Sequence, residues 1–327
     1  MREITAENAA EYLRETGRVP PGRALDVRAL GWGVSNVVIR AQVEGEPPII
    51  LKQARAQLRV KMRWVSRLER VWTEREAMEL LATVLPEGAV PRILFDDPPN
   101  YLFAMSCAPE PSTVWKEQLL AGQVDPSVAR IAGTLLGAVH AGTRGHPALR
   151  GRLADTTVFD ELRLDPFYRT TARVHAEVAP ALEALADSTT ALPESERRLV
   201  LADFSPKNML VHPGVGLGLT LVDFETAHAG DPAYDLGFFL SHLWLKALRA
   251  GRLGIGGGDA AYRELDRSFR EAYQAADPSL SDPDLWRRAS AHLAGHVLAR
   301  VDGKSPVDYL DEAAQEAARR FALERLR

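Results

Sequence analysis

Residues 199–225 read LVLADFSPKNMLVHPGVGLGLTLVDFE: short β-patterned runs, the Gly-rich turn HPGVGLG, and acidic residues where runs meet loops. Asp203 and Asn208 stand in a loop between two short strands, and Asp223 leaves the end of a third, so the three side chains can converge on one point. A carboxylate at Asp203 can accept or orient the proton of an attacking hydroxyl. Asn208 and Asp223 offer the oxygens that a hard cation such as magnesium takes. Such a set suits phosphoryl transfer, which also requires a cradle for nucleotide phosphates and a cation at the α/β-phosphates.

Both requirements are met upstream. Five β-patterned runs precede Cys107, at 25–30, 37–43, 49–54, 90–95 and 101–106, with one helix-periodic segment from about 58 to 85 between the third and fourth. EGEPP joins the second and third runs as a hairpin turn. Between the first two lies GWGVSN, where Gly31 and Gly33 permit close backbone approach and the amide groups through Ser35 and Asn36 can face phosphate oxygens. Lys52 follows Ile49, Ile50 and Leu51 in the third run, so its stem lies along an apolar sheet and its ammonium emerges at one edge. On the long helix, Trp72 and Leu80 lie four residues either side of Glu76. That places Glu76 on a stripe with bulky apolar neighbours and makes it the expected ion partner of Lys52.

After Cys107 the pattern turns mainly helical, beginning with VWKEQLL and DPSVARIAGTLLGAVH, where Asp125 suits an N-cap and Pro126 the first helical position. The shift divides the chain into a nucleotide-binding lobe, 1–107, and a catalytic and substrate-binding lobe, 108–327. GRLGIGGGD from Gly251 reads as a mobile loop, and His140 and Trp244 belong to apolar helical stripes that pack as core. Arg300 follows the apolar helix AHLAGHVLA and precedes the turn-forming Asp302 and Gly303. Its guanidinium is therefore expected to project from a helix end toward the cleft, as a candidate substrate clamp.

Composition bounds the partners. Of 327 residues, 40 are Lys or Arg and 44 are Asp or Glu, and a formal charge of -4 creates no field favouring nucleic acid or an anionic membrane. The single cysteine cannot form an intramolecular disulfide, the N-terminus lacks a basic-then-apolar secretory pattern, and the cytoplasm is the expected compartment. No His/Cys cluster suggests zinc. Composition leaves the oligomeric state open.

GWGVSNVVIRA, LKQA, TEREAMELL, YLFAMS, ADFSPKNMLV and VDFETAHAGDPAYDLGFFLSHL together resemble the aminoglycoside phosphotransferase and choline kinase superfamily. The resemblance implies an α+β, bilobal protein-kinase-like fold, with a small N-terminal lobe of antiparallel sheet and one long helix and a larger, mainly helical C-terminal lobe. It implies an ATP- and Mg2+-dependent kinase acting on a hydroxyl of a sugar, amino alcohol or aminoglycoside. Adenine would sit at the backbone of Met105, Ser106 and Cys107, with catalysis by Asp203 and metal held by Asn208 and Asp223. These motifs are specific to the superfamily and select neither an acceptor nor ATP over GTP. LKQA and AGHVLARVDG are also similar to the methylthioribose kinase branch, in which Glu225 matches a metal-side acidic residue. That branch carries an Arg-Arg pair where this chain has Ala299 and Arg300.

The usual His-Gly-Asp of the superfamily's catalytic loop is here Leu201-Ala202-Asp203. A catalytically silent nucleotide-binding protein is the alternative this substitution raises, and retention of Lys52, Asp203, Asn208 and Asp223 argues against it. A protein kinase is disfavoured because only residues 226–229 separate VDFE from GDPAYDL, too few for an activation segment that binds a peptide.

Overall fold

The computed structural model describes residues 1–31, 35–55 and 66–327. Strands β1 (Leu25–Ala29), β2 (Asn36–Val43), β3 (Ile49–Ala54), β4 (Ile93–Asp97) and β5 (Leu102–Ser106) form one antiparallel sheet in the order β1-β2-β3-β5-β4. These are the five runs expected from sequence. The fourth begins later than its apolar pattern because Pro91 has no N–H to give a ladder. Gly45, at φ 78°, turns the chain between β2 and β3.

Strand alternation sorts the two faces of the sheet. Ile39, Ala41, Leu51, Leu102 and Ala104 pack with Tyr12 and Leu13 of helix α1 (Ala9–Glu15), while Ile50, Phe103 and Met105 face the cluster that includes α2 (Arg70–Val84). The helix expected over 58–85 therefore starts at Arg70. Residues 66–69 are not helical, and 58–65 lie outside the described residues.

The rest of the chain is mainly helical. It holds α3 (Trp115–Leu120), α4 (Pro126–Gly142) and four long helices, Ala233–Leu253, Gly258–Gln274, Pro283–Asp302 and Glu312–Leu326. Asp125 caps α4 by accepting from the Ser127 N–H at 2.8 Å, with Pro126 in the first turn. The segment from Gly251 is a tight turn where sequence suggested a mobile loop: the helix runs to Leu253, and a Cβ on Gly256 would stand 2.8 Å from the Gly122 backbone. His140 is fully buried, and Trp244 stacks on Phe321 at 4.1 Å.

Two small sheets carry the loops of interest. β6 (Thr113–Val114), β8 (Met209–Val211) and β9 (Leu219–Leu221) form one, and β7 (Arg198–Val200) pairs with β10 (His228–Gly230) in the other. One apolar cluster runs from Met105 and α2 through Trp115 to Phe239 and Phe269, joining the sheet to the helices beneath it. Among the described residues no helix is long and apolar enough to cross a membrane.

Candidate active site

Lys52 lies on β3 opposite Val38 and Phe103 and is 4% exposed. Its ammonium donates to Glu74 Oε1 and to Asp223 Oδ1, each at 2.7 Å. Glu74, and not Glu76, is thus the partner of Lys52. At about 100° per residue, Arg70, Glu74, Ala77, Met78 and Leu81 share the buried face of α2, whereas Glu76 points away and pairs with Arg152 at 2.9 Å near the surface.

Burial disfavours the Lys52 charge, but Asp223, Glu74 and Glu225 more than restore it and hold the ammonium protonated. Burial likewise pushes Asp223 up, yet Lys52, Lys207 and Arg163 outweigh it and bring the carboxyl down to about 2. For Glu74 burial prevails over Lys52, and its carboxyl is pushed up to about 7. Asp223 sits at φ 72°, a left-handed conformation that aims its carboxylate back at Lys52 from the end of β9.

The loop after β7 is fixed by Asp235. Its two carboxylate oxygens accept the N–H groups of Leu201 and Ala202, each at 2.7 Å, and His140 Nε2 lies 3.2 Å from Oδ2. Ala202, at φ 59°, occupies the superfamily's glycine position in a backbone region that glycine enters without strain. Leu201 fills the place of the usual histidine as a core residue, 2% exposed.

Asp203, next in the chain, is 5% exposed, and its Oδ2 receives both Arg163 Nη2 and Lys207 Nζ at 2.8 Å. Asn208 Nδ2 donates to the Asp203 carbonyl at 3.0 Å, which orients the amide so that its Oδ1 is left for another partner.

Glu225 is buried, with one oxygen engaged twice: Oε2 accepts Asn36 Nδ2 at 2.8 Å and Arg70 Nε at 3.0 Å. Arg70, wholly buried, also donates to the carbonyls of Ser35, Arg55, Ser66 and Arg67, so all of its donors are used. Asn36 is thereby a tether between β2 and Glu225. Ser35 stands beside it at the cavity wall, Gly31 is exposed, and Gly33 lies outside the described residues. At the end of β5, Ser106 and Cys107 donate their N–H groups to the carbonyls of Arg92 and Pro48 at 2.9 and 3.3 Å, and Ala108 follows on the cavity wall.

A cavity of about 990 Å³ opens here, lined at one end by Leu30, Val38, Ile50, Met105 and Cys107 and at the other by Leu162, Arg163, Phe167, Phe238, His242 and Arg300. Lys52, Asp203, Lys207, Asn208, Asp223 and Glu225 lie between. Among the described residues no three His, Cys, Asp or Glu side chains form a metal cage. One carboxylate and one oriented amide fit magnesium, which keeps waters and takes its remaining oxygens from nucleotide phosphates. Glu225, already neutralised by Arg70, fits a ligand role less well.

The sequence profile of the phosphotransferase enzyme family matches residues 26–292, a span that contains every residue of this centre except Arg300. The chain belongs to the phosphotransferase enzyme family. No curated protein matches its sequence. Among solved structures it is similar to macrolide 2'-phosphotransferase MphH from Brachybacterium faecium, at 20% identity and TM-score 0.54, with 96% of this chain and 98% of that one covered. It is also similar to a choline/ethanolamine kinase family protein from Mesorhizobium loti, at 19% identity and TM-score 0.54, covering 97% and 94%. A streptomycin–ATP ternary complex of APH(2")-IIa aligns over 99% and 97%, at 14% identity and TM-score 0.51. These likenesses establish the bilobal, protein-kinase-like α+β fold.

Several residues of this phosphotransferase's centre escaped sequence reading. The inward phase of α2, marked by Arg70, Ala77 and Met78, points to Glu74. Lys207, four residues after Asp203 in the same short loop, was within reach of inspection. Arg163, forty residues upstream in a π-helical segment, Asp160–Arg169, carries no local signal that would bring it to Asp203.

Proposed function

We propose that this phosphotransferase is an ATP- and magnesium-dependent kinase that transfers a phosphoryl group to a hydroxyl of a small molecule. The observation that carries this reading is the single ammonium of Lys52 held between Glu74 and Asp223 at 2.7 Å each, in a cavity that Asp203 and Asn208 also enter. Lys52, with Ser35 and Asn36 beside it on the cavity wall, receives the nucleotide phosphates, while Ile50, Val38 and Met105 face the base, with the backbone from Ser106 to Ala108 along its edge. Residues 1–107 serve as the nucleotide lobe and 108–327 as the catalytic lobe.

Asp223 and Asn208 would hold magnesium, which when bound would supply charge neutralisation on the phosphates. Asp203 Oδ1, the oxygen not occupied by Arg163 and Lys207, orients the acceptor hydroxyl and takes its proton, while those two cations hold the carboxylate in place through Oδ2. Glu225 acts chiefly as the tether that brings Asn36 and the phosphate loop over the site. The single cysteine and the small net charge of -4 are consistent with a cytoplasmic enzyme acting on a small molecule.

Loss of the catalytic-loop histidine favours a silent nucleotide binder only if the loop depended on it, and here Asp235 holds the loop through two backbone N–H groups. A screen of hydroxyl-bearing metabolites and aminoglycosides, following nucleotide consumption, tests the proposal. Acceptor-dependent turnover that disappears in Asp203→Asn supports it. Nucleotide binding with no turnover on any acceptor favours the silent reading.

A further inference from the structure

The acceptor end of the cavity has an unbalanced charge. Asp203 is its one buried carboxylate, and its Oδ2 is already shared by Arg163 and Lys207. Arg300 stands beyond them without any ion pair among the described residues. Its Nη1 donates to the carbonyl and to Oγ of Ser305, the latter at 3.0 Å, while its Nε is shut off from water with no hydrogen-bond partner. The guanidinium groups of Arg163 and Arg300 flank the Phe167 ring, 6.0 and 5.7 Å from its centre.

A buried amine backs this wall. Lys246 is 2% exposed, donates to the His242 carbonyl at 3.2 Å and lies 5.4 Å from the Tyr309 ring; among the described residues no carboxylate pairs with it, and burial, then Lys116 and Arg300, push its ammonium well below the ordinary lysine range. Burial first, and then Lys246, Arg300 and Lys207, push the His242 imidazole well below its ordinary range. Exposed Glu117 adds a further carboxylate to the described lining, and Lys116 beside it a further ammonium.

Arg163, Lys207 and Arg300 line the cavity around the one carboxylate of Asp203, and a bound anion would balance that excess of positive charge. Arg300 lines the cavity, and a planar guanidinium suits a carboxylate or phosphate better than a point charge does. A polycationic acceptor would instead meet like charge on three sides.

We infer that the acceptor of this enzyme is a hydroxyl compound bearing a carboxylate or phosphate, seated on Arg300 beside Phe167 and His242, and not a polyamine-rich aminoglycoside. The inference rests on the kinase reading above and deepens it by naming the acceptor's charge.

Calorimetric titration of the enzyme loaded with magnesium and AMP-PNP tests it, with D-gluconate, D-glucose 6-phosphate, D-glucose and kanamycin as probes. At least one of the two anions is expected to bind about tenfold or more tightly than glucose, with kanamycin no tighter than glucose. The identity of the better anion tells carboxylate from phosphate. In Arg300→Gln the anion preference should shrink to about threefold or less. A preference for kanamycin, equal binding of all four probes, no binding of either anion, or a preference untouched in Arg300→Gln overturns the inference. The wild-type comparison decides it even where the variant does not fold. Binding of AMP-PNP without the anions defeats this inference alone, whereas failure of AMP-PNP itself to bind defeats the kinase reading and this inference with it.

Discussion

The ammonium of Lys52 and the carboxylate of Glu74 meet at 2.7 Å with both side chains shut away from water. Because α2 presents Glu74 and not Glu76 to β3, the two glutamates separate cleanly in mutation. Glu74→Gln leaves Lys52 with Asp223 alone and is expected to lower kcat/KM by about tenfold or more, a loss of a charge-assisted contact. Glu76→Gln, which breaks only a surface pair with Arg152, should change it by less than about twofold. Steady-state kinetics of the two variants checks this, and equal effects would remove Glu74 from its place.

Glu74 also predicts a pH dependence of stability. Its carboxyl is pushed up to about 7 in the fold from an ordinary 4.5, so the folded chain binds this proton more tightly than the unfolded one. The contribution is fully present below the ordinary value, declines as pH rises through the window, and is gone above the folded value. Denaturant unfolding at several pH values between 4.5 and 7 should show wild type losing more stability with rising pH than Glu74→Gln. Parallel curves would contradict it.

Asp203→Asn should cut turnover by roughly two to four orders of magnitude, the range for losing a positioned base. Nucleotide affinity should hold or tighten, because Arg163 and Lys207 lose the carboxylate they share and remain free to face phosphate. Single-turnover rates and calorimetry measure the two effects separately. Turnover within a few-fold of wild type removes Asp203 from the proposed role.

Ala202 carries backbone strain at φ 59° in a buried loop. Ala202→Gly relieves it while adding freedom to the unfolded chain, so stability should rise by no more than about 1 kcal/mol. Ala202→Val, β-branched where φ is positive, should destabilise by at least about 1–2 kcal/mol and slow turnover by shifting Asp203. Thermal and denaturant unfolding of both variants provide the check.

Much of this arrangement was legible in the sequence. The period-two runs found all five strands of the sheet within a few residues, and the spacing of Asp203, Asn208 and Asp223 anticipated their common cavity. Glu76 was the error, because apolar neighbours four residues away were read as a buried stripe when Arg70, Ala77 and Met78 define the buried phase. Trp72 is only partly buried. Arg300 was expected to face the cleft, and the residue is among those that line the cavity. Arg163 was invisible because its partner, Asp203, comes from a remote segment, and such contacts leave no local periodicity.

The central claim, a magnesium–nucleotide site over Lys52 and Asp223, is tested most directly by calorimetric titration of AMP-PNP into wild type, Asn208→Ala and Asp223→Ala, each with magnesium and with EDTA. Wild type should bind about tenfold or more tightly with magnesium. Asn208→Ala should lose part of that gain, and Asp223→Ala, which removes a full charge facing metal and phosphates, should lose nearly all of it. Binding that is indifferent to magnesium in wild type, or equal in all three proteins, would contradict the account.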